Sequence, residues 1–551
     1  MSVAAALPAR TRARHSLAWL LLALGWFATI QVRPLLDPDE GRYAEIPREM
    51  LVSGDWITPR FDDLKYFEKP PLQYWATAAA YQVFGVSEWS SRLWSCALAF
   101  ACLPLVQAWV ARLYGRESAL AALVALGSSP YFVIIGHLNL LDAAFTFWLT
   151  VTVLGFTLAQ GAPLGSPSER RWMLAAWAAA ALAVLSKGIV VGVLAGGALV
   201  VYTLSTRDAR PWRRLHAGAG LALFAALTAP WFVAVSLRNP SFPEFFFVHE
   251  HFARFLTTVH QRAEPWWYFL PLLLLAVLPW AVPLIRALPG AWQEGRGAAP
   301  AAAPPAFRPL RFLAIYAAVT LVFFSASGSK LAPYILPMLP ALAALTAARE
   351  STPRQLAGYG ARVGGAFVLL AAAGLLVYSA RRNSFVPHQA VYWAVAAAAV
   401  ALGAAAFSFV ARVGELARVL ATVLGASLAW QCLLCEYTVI PPTRSARELV
   451  RAVRPFVGPH TPLYSVGQYR ETVSPYLGRT LQLAGYEGEL RFGLTEEPRR
   501  RMSTAQFAAR WSAESSGVAF FDPGVWDNWR RRGLPGRVIA ADNYTVAVSR
   551  S

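Results

Sequence analysis

Acidic residues are scarce in this chain of 551 residues, with 31 Asp and Glu against 50 Lys and Arg and a formal charge of +19. Polar sequence is scarce as well. With 56% hydrophobic residues the composition excludes an ordinary soluble protein of this size, because apolar runs able to cross a bilayer recur over the first four-fifths. The basic excess then needs no nucleic acid, since cytoplasmic loops of membrane proteins collect Lys and Arg. An anionic lipid or a phosphorylated substrate is the other reading of that charge. Cysteine is limited to Cys96, Cys102, Cys432 and Cys435, all in apolar stretches. A single CxxC inside a hydrophobic run, with no second pair, reads as small buried helix residues, not as a metal site. No small-residue cleavage site follows the first apolar run, 17–30, which Arg10, Arg12 and Arg14 precede. It therefore reads as a retained helix instead of a secretory signal. No internal repeat of fixed period is visible.

Hydropathy predicts a mainly α, polytopic membrane protein with about thirteen spans, near 17–33, 90–110, 118–136, 140–159, 171–186, 188–204, 215–236, 268–287, 311–325, 331–348, 361–379, 390–410 and 416–438. With this count, the loops bearing Arg112 and Arg116, Arg170 and Arg171, Arg214, 296–311 and 349–362 share one side with the N-terminal arginines. The positive-inside rule makes that side cytoplasmic, and an odd number of spans puts the region after 440 outside. There the pattern changes. Short β-like runs at 463–466, 480–484, 518–521, 538–540 and 544–548 alternate with helical stretches at 504–513 and 527–532. The expected division is a membrane domain over 1–440 and an extracytoplasmic α/β domain over 441–551. The Ala/Pro/Gly stretch 289–309 reads as a cytoplasmic linker.

The segment 35–86 lies outside under this topology and cannot span. Within it 43–56 and 70–84 read as short helices, the second opened by Pro70 and Pro71, where a missing N–H costs nothing. Its Tyr74, Trp75, Tyr81 and Phe84 suit a helix lying in the headgroup layer.

Basic residues on the outer face then call for explanation. Lys69, Lys187, Arg254 and Lys330 all fall there. Lys187 sits between two apolar runs with almost no loop, where a charge is expensive and needs a partner or an anionic ligand unless it snorkels to the interface. Lys69 and Arg254, in longer loops, can equally be solvated. The acidic counterpart is Asp37-Pro38-Asp39-Glu40-Gly41-Arg42-Tyr43, just past the first span. A helix N-terminus accounts for one such carboxylate, but less well for three in four residues. Asp142 is another outer carboxylate, and N-capping its helix would account for it. Glu68 precedes Lys69, and His249 and His251 flank Glu250; a His and a Glu could share a divalent cation, though two ligands from separate loops are a weak metal signal. Carboxylates, lysines and an arginine at an outer membrane surface suit a site that holds a phosphate headgroup and moves what is attached to it.

The stretch LLDPDEGRYAEIPREMLVSGDWITPRFDDLKYFEKPPLQYW resembles the opening of bacterial lipid A aminoarabinose transferases. These are polyprenol-phosphate-sugar-dependent glycosyltransferases of the GT-C type, related to protein O-mannosyltransferases. HLNLLDA, LSKG, FFFVHEHFARF and SGSKLAPYILP resemble that family's segments in the same order. The resemblance extends to about residue 350 and brings no motif in the last 110 residues. It implies thirteen transmembrane helices, interfacial helices in the first outer loop and a periplasmic α/β domain, in the bacterial inner membrane. The implied donor is undecaprenyl phosphate carrying 4-amino-4-deoxy-L-arabinose; the implied acceptor is a lipid A phosphate, a modification that confers resistance to cationic peptides such as polymyxin. Residue by residue, Asp39 matches the acidic residue after the first span. Lys69, Arg254, Lys330 and Tyr334 match segments that hold the donor phosphate. Asp142 and Lys187, like Asp39, match catalytic positions in the same cavity, and Arg42, Tyr43 and Tyr66 match its lining. Glu68 and His249 match positions where a divalent cation such as zinc can sit.

The phosphate acceptor is already ionised near neutral pH, so Asp39 reads as a positioning or charge-balancing group and not an obligatory base. Two other functions compete: the same donor with a protein hydroxyl or another glycan as acceptor, which would need Asp39 as a base, or a lipid flippase. The flippase would favour polar residues at mid-membrane depth and repeated halves, and the sequence shows neither.

Overall fold

The computed structural model describes residues 9–253, 264–294, 307–348, 352–410 and 413–550. The linker expected at 289–309 falls largely outside them, as does Arg254. The first eight helices are α1 (Ala9–Trp26), α2 (Asp39–Ser53), α3 (Leu72–Phe84), α4 (Glu88–Tyr114), α5 (Arg116–Gly127), α6 (Pro130–Gly136), α7 (Leu141–Gly161) and α8 (Pro167–Lys187). The contacts divide the chain into two compact units that interleave along the sequence: 1–30, 95–233 and 243–437 form one, and 31–94, 234–242 and 438–551 the other.

The first unit is helical. Among the described residues eight helices are long and apolar enough to cross a membrane, or nine if the bent pair α5–α6 is one span. The pair bends by 64° at Ser128–Ser129, where Pro130 starts a new helix and the Ser129 hydroxyl caps the Phe132 N–H. The runs expected as spans at 188–204 and 331–348 are likewise interrupted. A π-helical turn, Gly192–Gly196, opens the first, and Pro333, Pro337 and Pro340 hold the start of the second as a 3₁₀ segment, Ala332–Met338. α7 and α8 pack closely as a hairpin because Gly155 has no side chain: a Cβ there would lie 3.3 Å from the Trp172 carbonyl oxygen.

In the second unit α2 ends at Gly54, whose left-handed φ of 70° lets its N–H return to the Met50 carbonyl. α3 begins after Pro71. Its Tyr74 and Tyr81 are buried, not turned to a headgroup layer; Tyr81 hydrogen-bonds the Ala44 carbonyl of α2 at 3.2 Å, while Phe84 is exposed. A small antiparallel ribbon, β1 (Arg60–Phe61) and β2 (Leu64–Lys65), lies between the helices.

The later part of this unit is a five-stranded mixed sheet of order β4-β3-β5-β7-β6, formed by β3 (Leu463–Val466), β4 (Gln482–Ala484), β5 (Val518–Phe521), β6 (Arg537–Ala541) and β7 (Val546–Ser549). β3 pairs in parallel with β4 and β5, and β7 runs antiparallel to β5 and β6. The central strands β3 and β5 are buried at every position, as expected for strands covered on both faces. Tyr464, Val466, Ala519 and Phe521 pack with Phe507 and Trp511 of the helix Thr504–Ala513. That helix starts with a reciprocal capping box between Ser503 and Gln506.

Candidate active site

The three carboxylates of the acidic loop meet three different fates. Asp37 bonds the Arg470 guanidinium at 2.9 Å and accepts the Thr472 N–H at 2.8 Å. Glu40 is buried and takes two bonds from Arg92, at 2.7 and 2.9 Å, and Arg92 also donates to the carbonyls of Arg33 and Pro34. Both tie the loop into the unit. Asp39, the first residue of α2, keeps a side chain 43% exposed and bonds Arg42 one turn on, at 2.8 Å. It is the carboxylate of the three that remains open to a reactant.

Arg42 is the hub. Its side chain is 5% exposed, and besides Asp39 it makes a two-pronged bond to Glu489, at 3.2 and 2.5 Å. Burial opposes its charge, yet Glu489, then Tyr66 and Asp39, more than offset this and hold its pKa well above the usual arginine value. The guanidinium carbon lies 5.8 Å from the ring centres of both Tyr43 and Tyr66. Tyr66 and Tyr74 are buried, and among the described residues their hydroxyls have no hydrogen-bond partner. Burial pushes up Glu489 and Glu471, Arg42 opposing in both cases; for Glu471 the nearby Glu489 and Asp37 add to the rise. Beside this cluster Lys69 donates to the Glu68 carbonyl at 2.8 Å, its ammonium 3.9 Å from the Glu68 carboxylate.

The close fit of α2 to the C-terminal part of the unit comes from Gly41. A Cβ on it would fall 2.5 Å from the Glu471 carbonyl carbon and 2.7 Å from the Thr472 nitrogen. Only glycine lets the helix carrying Asp39 and Arg42 approach the 470–472 backbone so closely.

In the helical unit Lys187, the last residue of α8, forms an ion pair with Asp142 in the first turn of α7. Each charge therefore sits at the helix end whose dipole favours it. Asp142 does not cap its helix, because the N-cap position falls on Leu140. The Lys187 ammonium also lies 4.4 Å from the Tyr334 ring centre and 5.7 Å from that of Phe145. Lys330 is buried, its ammonium donating to the Ser327 carbonyl at 2.6 Å. His249 lies in the π-helical segment Glu244–Ala253, stacked on Phe245 and 3.5 Å from the Glu250 carboxylate. Among the described residues no group of three or more His, Cys, Asp or Glu is placed to hold a metal ion. Cys432 and Cys435 are buried helix residues and form no disulfide among the described residues.

Sequence reasoning missed Glu489, Glu471 and Arg470, and it read the buried Tyr74 as an interfacial aromatic. Arg42 and Glu489 stand 447 positions apart, so no local pattern could join them.

Comparison with known proteins follows the same lines. The dolichyl-phosphate-mannose-protein mannosyltransferase family model matches residues 16–293, and the aminoarabinose transferase C-terminal domain model matches 449–550. An undecaprenyl phosphate-alpha-4-amino-4-deoxy-L-arabinose arabinosyl transferase of Pseudomonas aeruginosa is 36% identical over 342 residues, 60% of this chain and 59% of that protein. The match therefore spans 59% of that relative's length. A relative of the same name from Erwinia tasmaniensis is 32% identical over 406 residues, 72% of this chain and 70% of its own. The crystal structure of ArnT from Cupriavidus metallidurans in the apo state superposes with a TM-score of 0.85 at 33% identity, covering 98% of this chain and 99% of that one. Its undecaprenyl phosphate-bound form gives 0.84. A likeness that runs through the helices, the acidic loop and the C-terminal sheet alike leaves one conclusion: the chain belongs to the family of undecaprenyl phosphate-alpha-4-amino-4-deoxy-L-arabinose arabinosyl transferases.

Proposed function

We propose that the chain is a membrane glycosyltransferase that moves 4-amino-4-deoxy-L-arabinose from undecaprenyl phosphate to a lipid A phosphate at the periplasmic face of the bacterial inner membrane, with thirteen membrane crossings. The observation that carries this reading is the likeness over 98% of the chain to an ArnT structure bound to undecaprenyl phosphate.

The attacking phosphate oxygen is already anionic, so transfer needs a held acceptor more than a proton acceptor. Asp39, paired with Arg42 and still exposed, positions the reactants and balances charge. Lys69 neutralises the polyprenyl phosphate as the glycosidic bond breaks and charge grows on the leaving oxygen. Arg254, Lys330 and Tyr334 are assigned to the same phosphate. The Asp142–Lys187 pair is internally neutral and is assigned to shaping the cavity. Direct attack inverts the sugar's anomeric centre.

The match of residues 16–293 to the protein mannosyltransferase model favours a second reading, with a protein hydroxyl as acceptor. A neutral hydroxyl must lose its proton, so Asp39 would then act as base.

The test is transfer of labelled sugar by the purified chain in lipid. With lipid A as acceptor, Asp39→Asn and Lys69→Ala should each lower the rate by about a hundredfold. Full activity in both would defeat these roles, and transfer to a hydroxyl acceptor alone would favour the second reading.

A further inference from the structure

The cluster around Arg42 holds more negative charge than its own bases neutralise. Asp39 and Glu489 both bond to Arg42. Glu471 is buried, its backbone packs against Gly41 next to Arg42, and it has no ion pair among the described residues. The adjacent Arg470 is committed elsewhere, to Asp37 and Asp542. Around the same centre, Tyr66 and Tyr74 are 2% and 0% exposed, and neither hydroxyl has a hydrogen-bond partner among the described residues. The Tyr66 ring centre lies 5.8 Å from the Arg42 guanidinium carbon, and the Tyr74 ring centre 6.1 Å from that of Tyr43. Buried hydroxyls are normally bonded, because an unmet one forfeits its hydration. Surplus carboxylate beside two unmet hydroxyls fits a ligand that brings a cation and several hydroxyl groups together. A bare metal ion fits less well, since among the described residues no cluster is arranged to coordinate one.

We propose that Glu471 and Glu489, with the hydroxyls of Tyr66 and Tyr74, form the subsite that receives the ammonium group of the amino sugar. This rests on the function proposed above and adds to it the groups that recognise the sugar. A carboxylate pair in largely desolvated surroundings bonds an ammonium strongly and a neutral hydroxyl in its place much less. The phenols donate to or accept from the ring hydroxyls. The C-terminal region thereby supplies both acidic groups that select the sugar, while α2 supplies Asp39.

The experiment compares two donors on the purified full chain: undecaprenyl phosphate carrying 4-amino-4-deoxy-L-arabinose, and the analogue with a hydroxyl in place of the amine. The readout is the ratio of their kcat/KM values, which does not depend on the folded fraction of a preparation. The wild type should prefer the amine by about tenfold or more, and Glu471→Gln and Glu489→Gln should each bring the ratio close to one. A wild-type ratio near one, or variants that keep the wild-type preference, would overturn the subsite while leaving the transferase reading intact. A wild type that transfers neither sugar would overturn both.

Discussion

The two units bury charge in opposite ways. In the helical unit the ion pairs join nearby helix ends: Lys187 closes α8 and meets Asp142 at the start of α7, 45 positions away. In the other unit the pairs reach across the chain. Asp37 meets Arg470 over 433 positions, Arg42 meets Glu489 over 447, and Arg60 meets Glu497 over 437. The first arrangement follows from helix hairpins and apolar packing. The second makes a single folded body from an early loop and a late sheet, so its stability depends on individual ionic ties and on pH.

Removing a fully buried tie should show the largest effect. Arg92 is enclosed and holds Glu40, so Arg92→Ala leaves a buried carboxylate uncompensated. A loss of about 3–5 kcal/mol is expected, read as a drop in thermal stability of the purified chain. Stability near that of the wild type would mean that these ties do not hold the loop in place. Next comes Gly41→Ala. Its Cβ would press on the Glu471 backbone at 2.5 Å, which no side-chain rotation relieves. About 1–3 kcal/mol should be lost, together with transfer activity as α2 shifts.

The pH response sharpens the contrast further. Burial, then the charge of Glu45, pushes Asp62 up to about 7, against bonds from Tyr469, the Leu481 N–H and Ser474. The folded chain therefore keeps a proton that the unfolded chain releases near pH 4. That contribution is fully present below about pH 4 and is lost as pH rises towards 7. Glu49, pushed up mainly by burial and by Glu45, acts in the same direction. Thermal stability should fall between about pH 4 and 7, and Asp62→Asn should flatten the slope. Stability that rises over that window would contradict the assignment. The smallest effect is expected at Arg451, whose pair with Glu448 is exposed at both ends, 72% and 66%. Arg451→Ala should cost less than about 1 kcal/mol.

Local pattern made much of this legible. The strands at 463–466 and 518–521 and the helix at 504–513 lie where the short β-like runs and the helical stretch put them. α2 starts earlier than expected, at Asp39 instead of 43, because Asp39 and Glu40 suit its first turn. The Lys187 charge called for a partner, and Asp142 supplies it, though not as an N-cap. What the sequence hid is long-range. Tyr74 and Tyr81 carry the same amphipathic signal whether they meet headgroups or α2, and they meet the interior. Glu471 and Glu489 are single glutamates in a polar stretch, and only the folded chain brings them to Arg42.

The most direct test of the central claim is mass spectrometry of lipid A from cells expressing the chain and from cells lacking it, in a background that makes the polyprenyl-linked amino sugar. Lipid A phosphates carrying aminoarabinose should be present only with the chain and should vanish with Lys69→Ala. Unmodified lipid A in the presence of abundant chain and donor would contradict the account.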